Sequence, residues 1–134
     1  MEHHDLLDEA RAAASAAYAP YSGFGVGAAV LTNDGRTFTG TNVENAAFAS
    51  TLCAEAVAIA SAVAAGCRQI ERIAVAAADG GPCPPCGNCR QIMNEFGVHH
   101  IVLEDATGEA EAHALEAMLP EAFGPEAVRR GQAQ

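Results

Sequence analysis

The stretch Thr51-Leu52-Cys53-Ala54-Glu55 sets a thiol and a carboxylate two residues apart at an expected helix start. A second expected helix start, Pro85-Cys86-Gly87-Asn88-Cys89, carries two more thiols. A catalytic zinc site needs three protein ligands and one open position for water. We therefore predict that both helix starts meet at one zinc ion. The rest of the chain is expected to form the scaffold and the substrate pocket around it.

The spacing of these residues supports a metal site with a proton shuttle. Cys86 and Cys89 are three residues apart, so both thiols face the same way on one helical turn. Cys53 would supply the third ligand, and the positive ends of both helix dipoles favour ionised thiols. Cys53 and Glu55 cannot share a lateral face of a helix, which places the zinc off the helix end. Glu55 then lies beside the open position without being a ligand.

Length and charge narrow the class of protein. The 134 residues suffice for one domain, 1–134, with a core of about 5–124 and a tail over 125–134. Hydrophobic residues make up 50% and aromatic residues only 5%, which favours closely packed helices and a sheet over a core of large rings. The formal charge of −10 argues against nucleic acid or an anionic membrane as a partner, because phosphates require basic patches. A neutral small molecule is the expected partner.

The thiols and the N-terminus predict a cytoplasmic protein. Five cysteines, an odd number with three in one cluster, indicate reduced thiols that bind metal rather than a disulfide framework. No apolar run approaches the roughly 18 residues that a membrane span requires. Acidic residues occupy the place of the basic segment of a secretory signal: Glu2, Asp5, Asp8 and Glu9.

Hydrophobic periodicity and turn residues predict the order of the elements. Helices are expected over residues 5–17, 52–65, 86–96 and 112–119, with a frayed helix after Gly124. Strands are expected over residues 26–32, 36–43, 72–78 and 100–103, the first two joined by an Asn33-Asp34-Gly35 hairpin turn. Thr51 is the expected N-cap of the second helix and Gly66 its C′ residue. The predicted fold is a three-layer α/β/α domain with a mixed five-stranded sheet.

Several blocks of this sequence resemble the small homotetrameric cytidine deaminases of the cytidine and deoxycytidylate deaminase superfamily. Zinc deaminases carry the signature H-x-E…P-C-x-x-C, in which cysteine can replace the histidine. The two stretches quoted above match that signature. Four further blocks share the resemblance: Tyr18–Ala28, Gly40–Ala46, Cys89–Gln91 and Leu119–Phe123. Together they extend over about residues 10–124, so the resemblance implies a cytidine-deaminase-like fold.

The resemblance implies a reaction. Cys53, Cys86 and Cys89 would bind Zn²⁺, and the enzyme would hydrolyse cytidine and deoxycytidine to the uridines with release of ammonia. Glu55 would take a proton from the zinc-bound water and protonate N3 of the pyrimidine as hydroxide attacks C4. It would then deliver a proton to the departing ammonia, which is general acid–base catalysis beside a metal-generated nucleophile.

The resemblance also implies the substrate contacts. Asn42 and Glu44 are two residues apart on a strand end, so both side chains point to one side, and in the family this pair binds the ribose 3′-hydroxyl. Phe24 would pack against the base, and the backbone of Ala54 would read its edge. Phe123 resembles an aromatic residue that the family brings in from another subunit. A homotetramer with shared active sites is the expected assembly.

Three positions depart from the family pattern. Ala56 stands where the family commonly has an arginine that offsets the charge of the thiolates. Three thiolates on Zn²⁺ leave net negative charge, which weakens the ability of the metal to acidify its water. The helix dipoles and Arg90 are the candidates for compensation. Phe48 replaces a frequent tyrosine and Asn88 a usual alanine.

Other interpretations of these residues stay open. Cys86 and Cys89 could form a redox pair in a thioredoxin-like site, or Cys83 could complete a purely structural zinc site. Cys67 is expected to be a semi-buried small residue. Deaminases of the blasticidin type also lack the arginine that Ala56 replaces, so a related aminopyrimidine nucleoside is an alternative substrate. A base within tRNA or single-stranded DNA, and a noncatalytic nucleoside-binding homologue, are the remaining alternatives.

Overall fold

Five strands and five helices make up the computed structural model, which describes residues 1–132. The strands are β1 Val26–Thr32, β2 Thr37–Thr41, β3 Ile70–Ala77, β4 His100–Glu104 and β5 Ala110–Ala114. The helices are α1 His3–Ala14, α2 Ala54–Ala64, α3 Gly87–Glu95, α4 Leu115–Met118 and α5 Pro125–Gln132, with a 3₁₀ turn over Phe48–Ser50. The last two residues of the predicted tail, 133–134, lie outside the described residues.

The strands form one mixed sheet in the order β2-β1-β3-β4-β5. The interior strand β1 runs antiparallel to both β2 and β3, and β5 runs antiparallel to β4. β3 and β4 are neighbouring parallel strands, and the connection between them contains α3. This confirms the predicted mixed sheet of five strands. Within residues 1–132, no helix has the length and apolar character needed to cross a membrane.

Two apolar clusters on opposite faces of the sheet form the three layers. β1 is buried along its whole length, as expected of an interior strand covered on both faces. Ala29 and Leu31 pack on one face with α1, whose contributions are Leu6, Leu7 and Ala10. Ala28 and Val30 pack on the other face with the buried residues of α2 and α3. The α/β/α layering is therefore confirmed, with the ends of α2 and α3 on the same side of the sheet.

Gly40 allows α2 to lie directly against β2. A Cβ at this position would come within 2.4 Å of the Ala58 nitrogen and 2.6 Å of the Ala54 carbonyl oxygen. Both are backbone atoms, so α2 itself would have to move. The absence of a side chain at Gly40 thus sets the distance between the sheet and the first turns of α2.

Gly40→Ala is expected to lower the free energy of unfolding by about 2–3 kcal/mol, because overpacking against a rigid backbone cannot relax by rotamer changes. Urea unfolding followed by circular dichroism measures this loss. Gly131→Ala is the matched control, since that helical position is open and alanine is the better helix former. A Gly40→Ala protein as stable as the unchanged chain would contradict the close approach of α2 to β2.

The predicted start of the second helix is wrong. The N-cap is Cys53 rather than Thr51, and the first helical residue is Ala54. Val43 and Leu52 exchange two backbone hydrogen bonds of 2.9 Å, which hold residue 52 in an extended conformation. The Thr51 hydroxyl accepts the Asn45 N–H at 3.1 Å and closes the preceding loop. The predicted C′ glycine is correct, since Gly66 follows the helix with a φ of +98°.

The predicted helix over 112–119 is also wrong in its first half. Residues 110–114 form β5, and only Leu115–Met118 is helical. The turn after β4 decides this, because Asp105 accepts N–H groups from Thr107 at 2.8 Å and Glu109 at 3.0 Å. The chain is thereby folded back on β4, and ladder pairing outweighs the helix propensity of an alanine-rich segment.

Candidate active site

Three thiols converge where α2 and α3 begin. The sulfur atoms of Cys53, Cys86 and Cys89 all lie within 4.8 Å of one another. Cys53 is the N-cap of α2, Cys86 is the N-cap of α3, and Cys89 lies in the first turn of α3. The structure therefore brings together three residues that the sequence separates, and it points two helix N-termini at the space between them.

The donor set fits zinc. Thiolate sulfur is a soft ligand that Zn²⁺ accepts in both structural and catalytic sites. Among residues 1–132, these three cysteines are the group of histidine, cysteine or acidic side chains close enough together to hold a metal. Cys83, the possible fourth ligand of a structural site, does not belong to the converging group. Three donors with no fourth from the described chain leave a coordination position open.

The surroundings of the thiols differ. Cys86 is exposed, and the Cys89 backbone N–H holds the pKa of its thiol below the usual range. Burial raises the pKa of the Cys89 thiol, with the nearby Glu55 carboxylate adding to the effect. Burial also raises the pKa of Cys53. A divalent cation between these sulfurs would offset the cost of ionising the two more buried ones.

Glu55 is a buried carboxyl group at the same helix end. Only 5% of its surface is exposed, and it lies in the first turn of α2. Burial raises the pKa of this carboxyl group, while a hydrogen bond to the Cys89 side chain acts in the opposite direction. A buried acid with a perturbed pKa, next to converging metal donors, is typical of a catalytic centre.

Arg90 does not bond to the thiols. Its Nε donates to the Pro85 carbonyl at 2.8 Å, and its Nη1 donates to the Met118 carbonyl at 2.8 Å. The guanidinium thus braces the backbone just before Cys86. The group that lowers the pKa of a thiol here is the Cys89 backbone N–H at the start of α3, which acts on Cys86.

Asn42 and Glu44 bind the loop that carries Phe24. The Asn42 amide accepts the Val26 N–H at 2.9 Å and donates to the Phe24 carbonyl at 2.8 Å. The Glu44 carboxylate accepts the N–H groups of Tyr21 at 2.9 Å and Ser22 at 3.1 Å. These two side chains are therefore fixed in orientation by the loop beside β1 before any ligand arrives.

Ser22 links two of the predicted site residues, although no role was predicted for it from the sequence. Its hydroxyl donates to Glu44 and accepts the Phe24 N–H at 2.9 Å, linking the acid to the aromatic residue. The Ser22 hydroxyl is also the main reason that the pKa of Glu44 lies below its usual range. A serine two residues before a phenylalanine in a glycine-rich turn is a local signal of this kind of hydrogen bond.

The predicted aromatic contacts are exposed. Phe24 is 47% exposed and Phe123 is 64% exposed, whereas Ala54 is buried. The structure joins Phe24 to Asn42 and Glu44 through the loop described above. Phe123 belongs to a different group, because its carbonyl accepts the amides of Gln91 and Asn94 from α3. No role for Gln91 or Asn94 was predicted from the sequence.

An apolar groove runs along the outer surface of α2 and α3. Its lining has almost no polar groups and consists of Leu52, Ala56, Val57, Ile59, Ala60, Ser61, Val63, Ala64, Ile92 and Phe96. Ala56, where the family commonly has arginine, therefore lies on this outer face as a small apolar residue. The groove is thus an exposed apolar surface formed by both helices.

Comparisons with known proteins point to one enzyme family. A family model described as "Cytidine and deoxycytidylate deaminase zinc-binding region" matches residues 1–105, which include all three converging thiols and Glu55. A protein of Sporosarcina psychrophila named cytidine deaminase is 41% identical over 128 residues, covering 94% of each chain. A crystal structure of cytidine deaminase from Burkholderia pseudomallei aligns with a TM-score of 0.84 and 47% identity over 92% of this chain and 100% of that chain. A crystal structure of cytidine deaminase from Mycobacterium tuberculosis aligns with a TM-score of 0.83 and 37% identity. That alignment covers 92% of this chain and 98% of the other.

Proposed function

This chain belongs to the cytidine and deoxycytidylate deaminase family, and we propose that it hydrolyses cytidine and deoxycytidine to uridine and deoxyuridine with release of ammonia. This is a reaction of pyrimidine salvage. One observation carries the proposal: a buried carboxyl group, Glu55, lies beside three thiols that converge at two helix N-termini. That combination would supply a metal site with a proton shuttle beside it.

Cys53, Cys86 and Cys89 are the residues that would hold zinc. A zinc ion bound there lowers the pKa of a coordinated water and so supplies a nucleophile at neutral pH. The two helix dipoles help to keep the sulfurs ionised, which takes the place of the arginine that the family commonly has at the position of Ala56.

Glu55 moves the protons. It accepts a proton as water adds to C4 of the base and gives that proton to N3. It then takes the proton of the new C4 hydroxyl and gives it to the amino nitrogen, so that the C4–N bond breaks, ammonia departs and a C4 carbonyl remains. Its burial suits both directions of transfer, because a raised pKa makes the carboxylate a stronger base than an exposed glutamate and brings the pKa closer to neutral pH, where a group can both accept and return a proton.

Asn42 and Glu44 are proposed to bind the ribose. The Asn42 amide nitrogen has two hydrogens, of which one is given to the Phe24 carbonyl. The low pKa of Glu44 keeps its carboxylate ionised and able to accept a sugar hydroxyl. Phe24 would lie against the base, and the buried backbone at Ala54 would read its edge.

The assembly is proposed to be a homotetramer with shared active sites. The apolar groove on α2 and α3 is an uncovered surface that a further copy of the chain could cover. Exposed aromatic rings occur elsewhere on the described chain: Tyr18, Tyr21, Phe24, Phe48 and Phe123. Burying them against further copies would let Phe123 complete the site of a neighbour. The five free thiols of the described chain support a cytoplasmic location.

A spectrophotometric screen of the zinc-loaded protein tests the proposed reaction. We expect turnover of cytidine and deoxycytidine and poor turnover of free cytosine, because losing the ribose contacts of Asn42 and Glu44 lowers turnover as well as affinity. Blasticidin S is included as the alternative substrate. Turnover of blasticidin S without turnover of either nucleoside would replace the proposed substrate. Nucleoside binding without any turnover would instead indicate a noncatalytic homologue.

A further inference from the structure

Phe123 presents an exposed ring on a fixed backbone. The ring is 64% exposed, yet the carbonyl of the same residue accepts two side-chain amides. Gln91 Nε2 donates to it at 2.6 Å and Asn94 Nδ2 donates to it at 3.3 Å. Both donors lie on α3, whose first turn carries Cys89. The helix that carries two of the converging thiols therefore also holds the aromatic residue.

The segment 118–124 depends on α3 for its position. The side-chain hydrogen bonds that reach it, within the described part of the chain, come from three neighbouring α3 residues. Arg90 binds the Met118 carbonyl at the start of the segment, and the two amides bind the Phe123 carbonyl near its end. Met118 and Leu119 at the start of the segment also pack against the core, whereas residues 120–123 are exposed, so the hydrogen bonds from α3 are what hold the end that carries Phe123.

The backbone of this segment is strained. Glu121 has a φ of +50°, the left-handed region that residues with a Cβ disfavour. Such a conformation persists only where the surrounding contacts impose it, and it is concentrated near functional sites. Hydrogen bonds on both sides of Glu121 are the contacts that impose it here.

We propose that Gln91 and Asn94 are positioning residues that fix the Phe123 ring for contact with the substrate of a neighbouring copy. This rests on the proposed function, in which Phe123 completes that site. Without the two amides, rotation about the bonds of residues 119–124 would let the ring take many orientations. The substrate would then have to order the ring on binding, and that cost would appear in KM rather than in the chemical step.

Kinetics of Gln91→Met and Asn94→Ala test this role separately. Each variant is expected to raise KM for cytidine about three- to tenfold, the loss of one hydrogen bond, with kcat within about twofold. Zinc content should stay at about one per chain. Glu95→Ala is the matched control, because Glu95 is an exposed α3 residue with no hydrogen bond to Phe123. A fall in kcat with KM unchanged, or loss of zinc, would overturn the assignment.

A double-substitution cycle asks whether the amides act through the ring. In a Phe123→Leu background, Gln91→Met should raise KM no further, because there is no aromatic ring left to position. An equal increase in both backgrounds would overturn the proposal, since it would show that Gln91 acts by another route. If Gln91→Met fails to fold, Asn94→Ala takes its place in the same cycle.

A fluorescence measurement tests the fixing of the ring independently of turnover. The sequence contains no tryptophan, so Phe123→Trp places a single reporter at this position. Adding Gln91→Met or Asn94→Ala should lower the emission anisotropy of that reporter, while adding Glu95→Ala should not. Unchanged anisotropy would overturn the proposal even in an active enzyme. Absence of cytidine turnover in the unchanged protein would count against the proposed function instead.

Discussion

Replacing Glu55 with glutamine is expected to lower kcat by at least about 10³-fold, because the side chain that accepts and returns protons is lost. The glutamine amide has nearly the same shape but cannot carry a proton between water, N3 and the leaving nitrogen. Zinc content should remain at about one per chain, since Glu55 is not one of the converging donors. Steady-state kinetics together with metal analysis of Glu55→Gln measure both effects.

Glu55→Gln should leave the fold at least as stable as that of the unchanged protein. Burial raises the pKa of Glu55, which means that the ionised carboxyl group is costly in this pocket. A neutral amide avoids that cost, so the melting temperature is expected to stay the same or to rise. Glu95→Gln, an exposed acid on α3, is the control and should change neither activity nor stability. A Glu55→Gln protein with full activity would exclude Glu55 as the proton shuttle.

Replacing Cys86 with serine is expected to weaken zinc binding by more than about 100-fold. Losing even an outer-shell partner typically lowers metal affinity by about 10–100-fold, and the loss of a direct ligand should exceed this. Cys86 is the exposed thiol whose pKa lies below its usual range, so it is the sulfur most readily ionised before metal arrives. Competition against a chelator of known affinity, with activity measured on the same samples, tests the prediction.

Two cysteine controls make the result specific. Cys67→Ser changes a buried thiol outside the converging group, one that accepts a hydrogen bond from Arg36, and should leave zinc affinity unchanged. Cys83→Ser distinguishes a three-ligand from a four-ligand site. If Cys83→Ser lowered zinc affinity as much as Cys86→Ser, the site would be a closed structural one. If Cys86→Ser kept both metal and activity, the proposed ligand set would be wrong.

The sheet was largely predictable from local patterns. The hairpin turn at Asn33-Asp34-Gly35 and the continuously apolar run of β3 each reflect a preference of a few neighbouring residues, and both elements occur where expected. The 110–114 strand was not predictable in this way. Its alanine-rich sequence favours a helix, and only pairing with β4 makes it a strand.

At the start of α2, too, a contact between distant residues outweighs the preference of the local sequence. Thr51 has the side chain of an N-cap, but Leu52 is held extended by a bridge to Val43, so the helix begins at Ala54 with Cys53 as its cap. This places the Cys53 thiol at the helix end, where the sequence interpretation required the metal to lie. The position follows from a contact across the fold rather than from the local sequence.

The sequence by itself determined the chemistry. Three cysteines, one glutamate and their spacing define a donor set and an acid, and the resemblance of the surrounding blocks to cytidine deaminases selects the reaction class. The tertiary structure decided which side chains form hydrogen bonds with which parts of the chain. In the folded chain, Asn42 and Glu44 form hydrogen bonds with the loop that carries Phe24. Arg90 donates to backbone carbonyls, and Gln91 and Asn94 donate to the Phe123 carbonyl. The physical reason is that these hydrogen bonds mostly join residues far apart in the chain, and their partners exist only after the sheet and helices have packed.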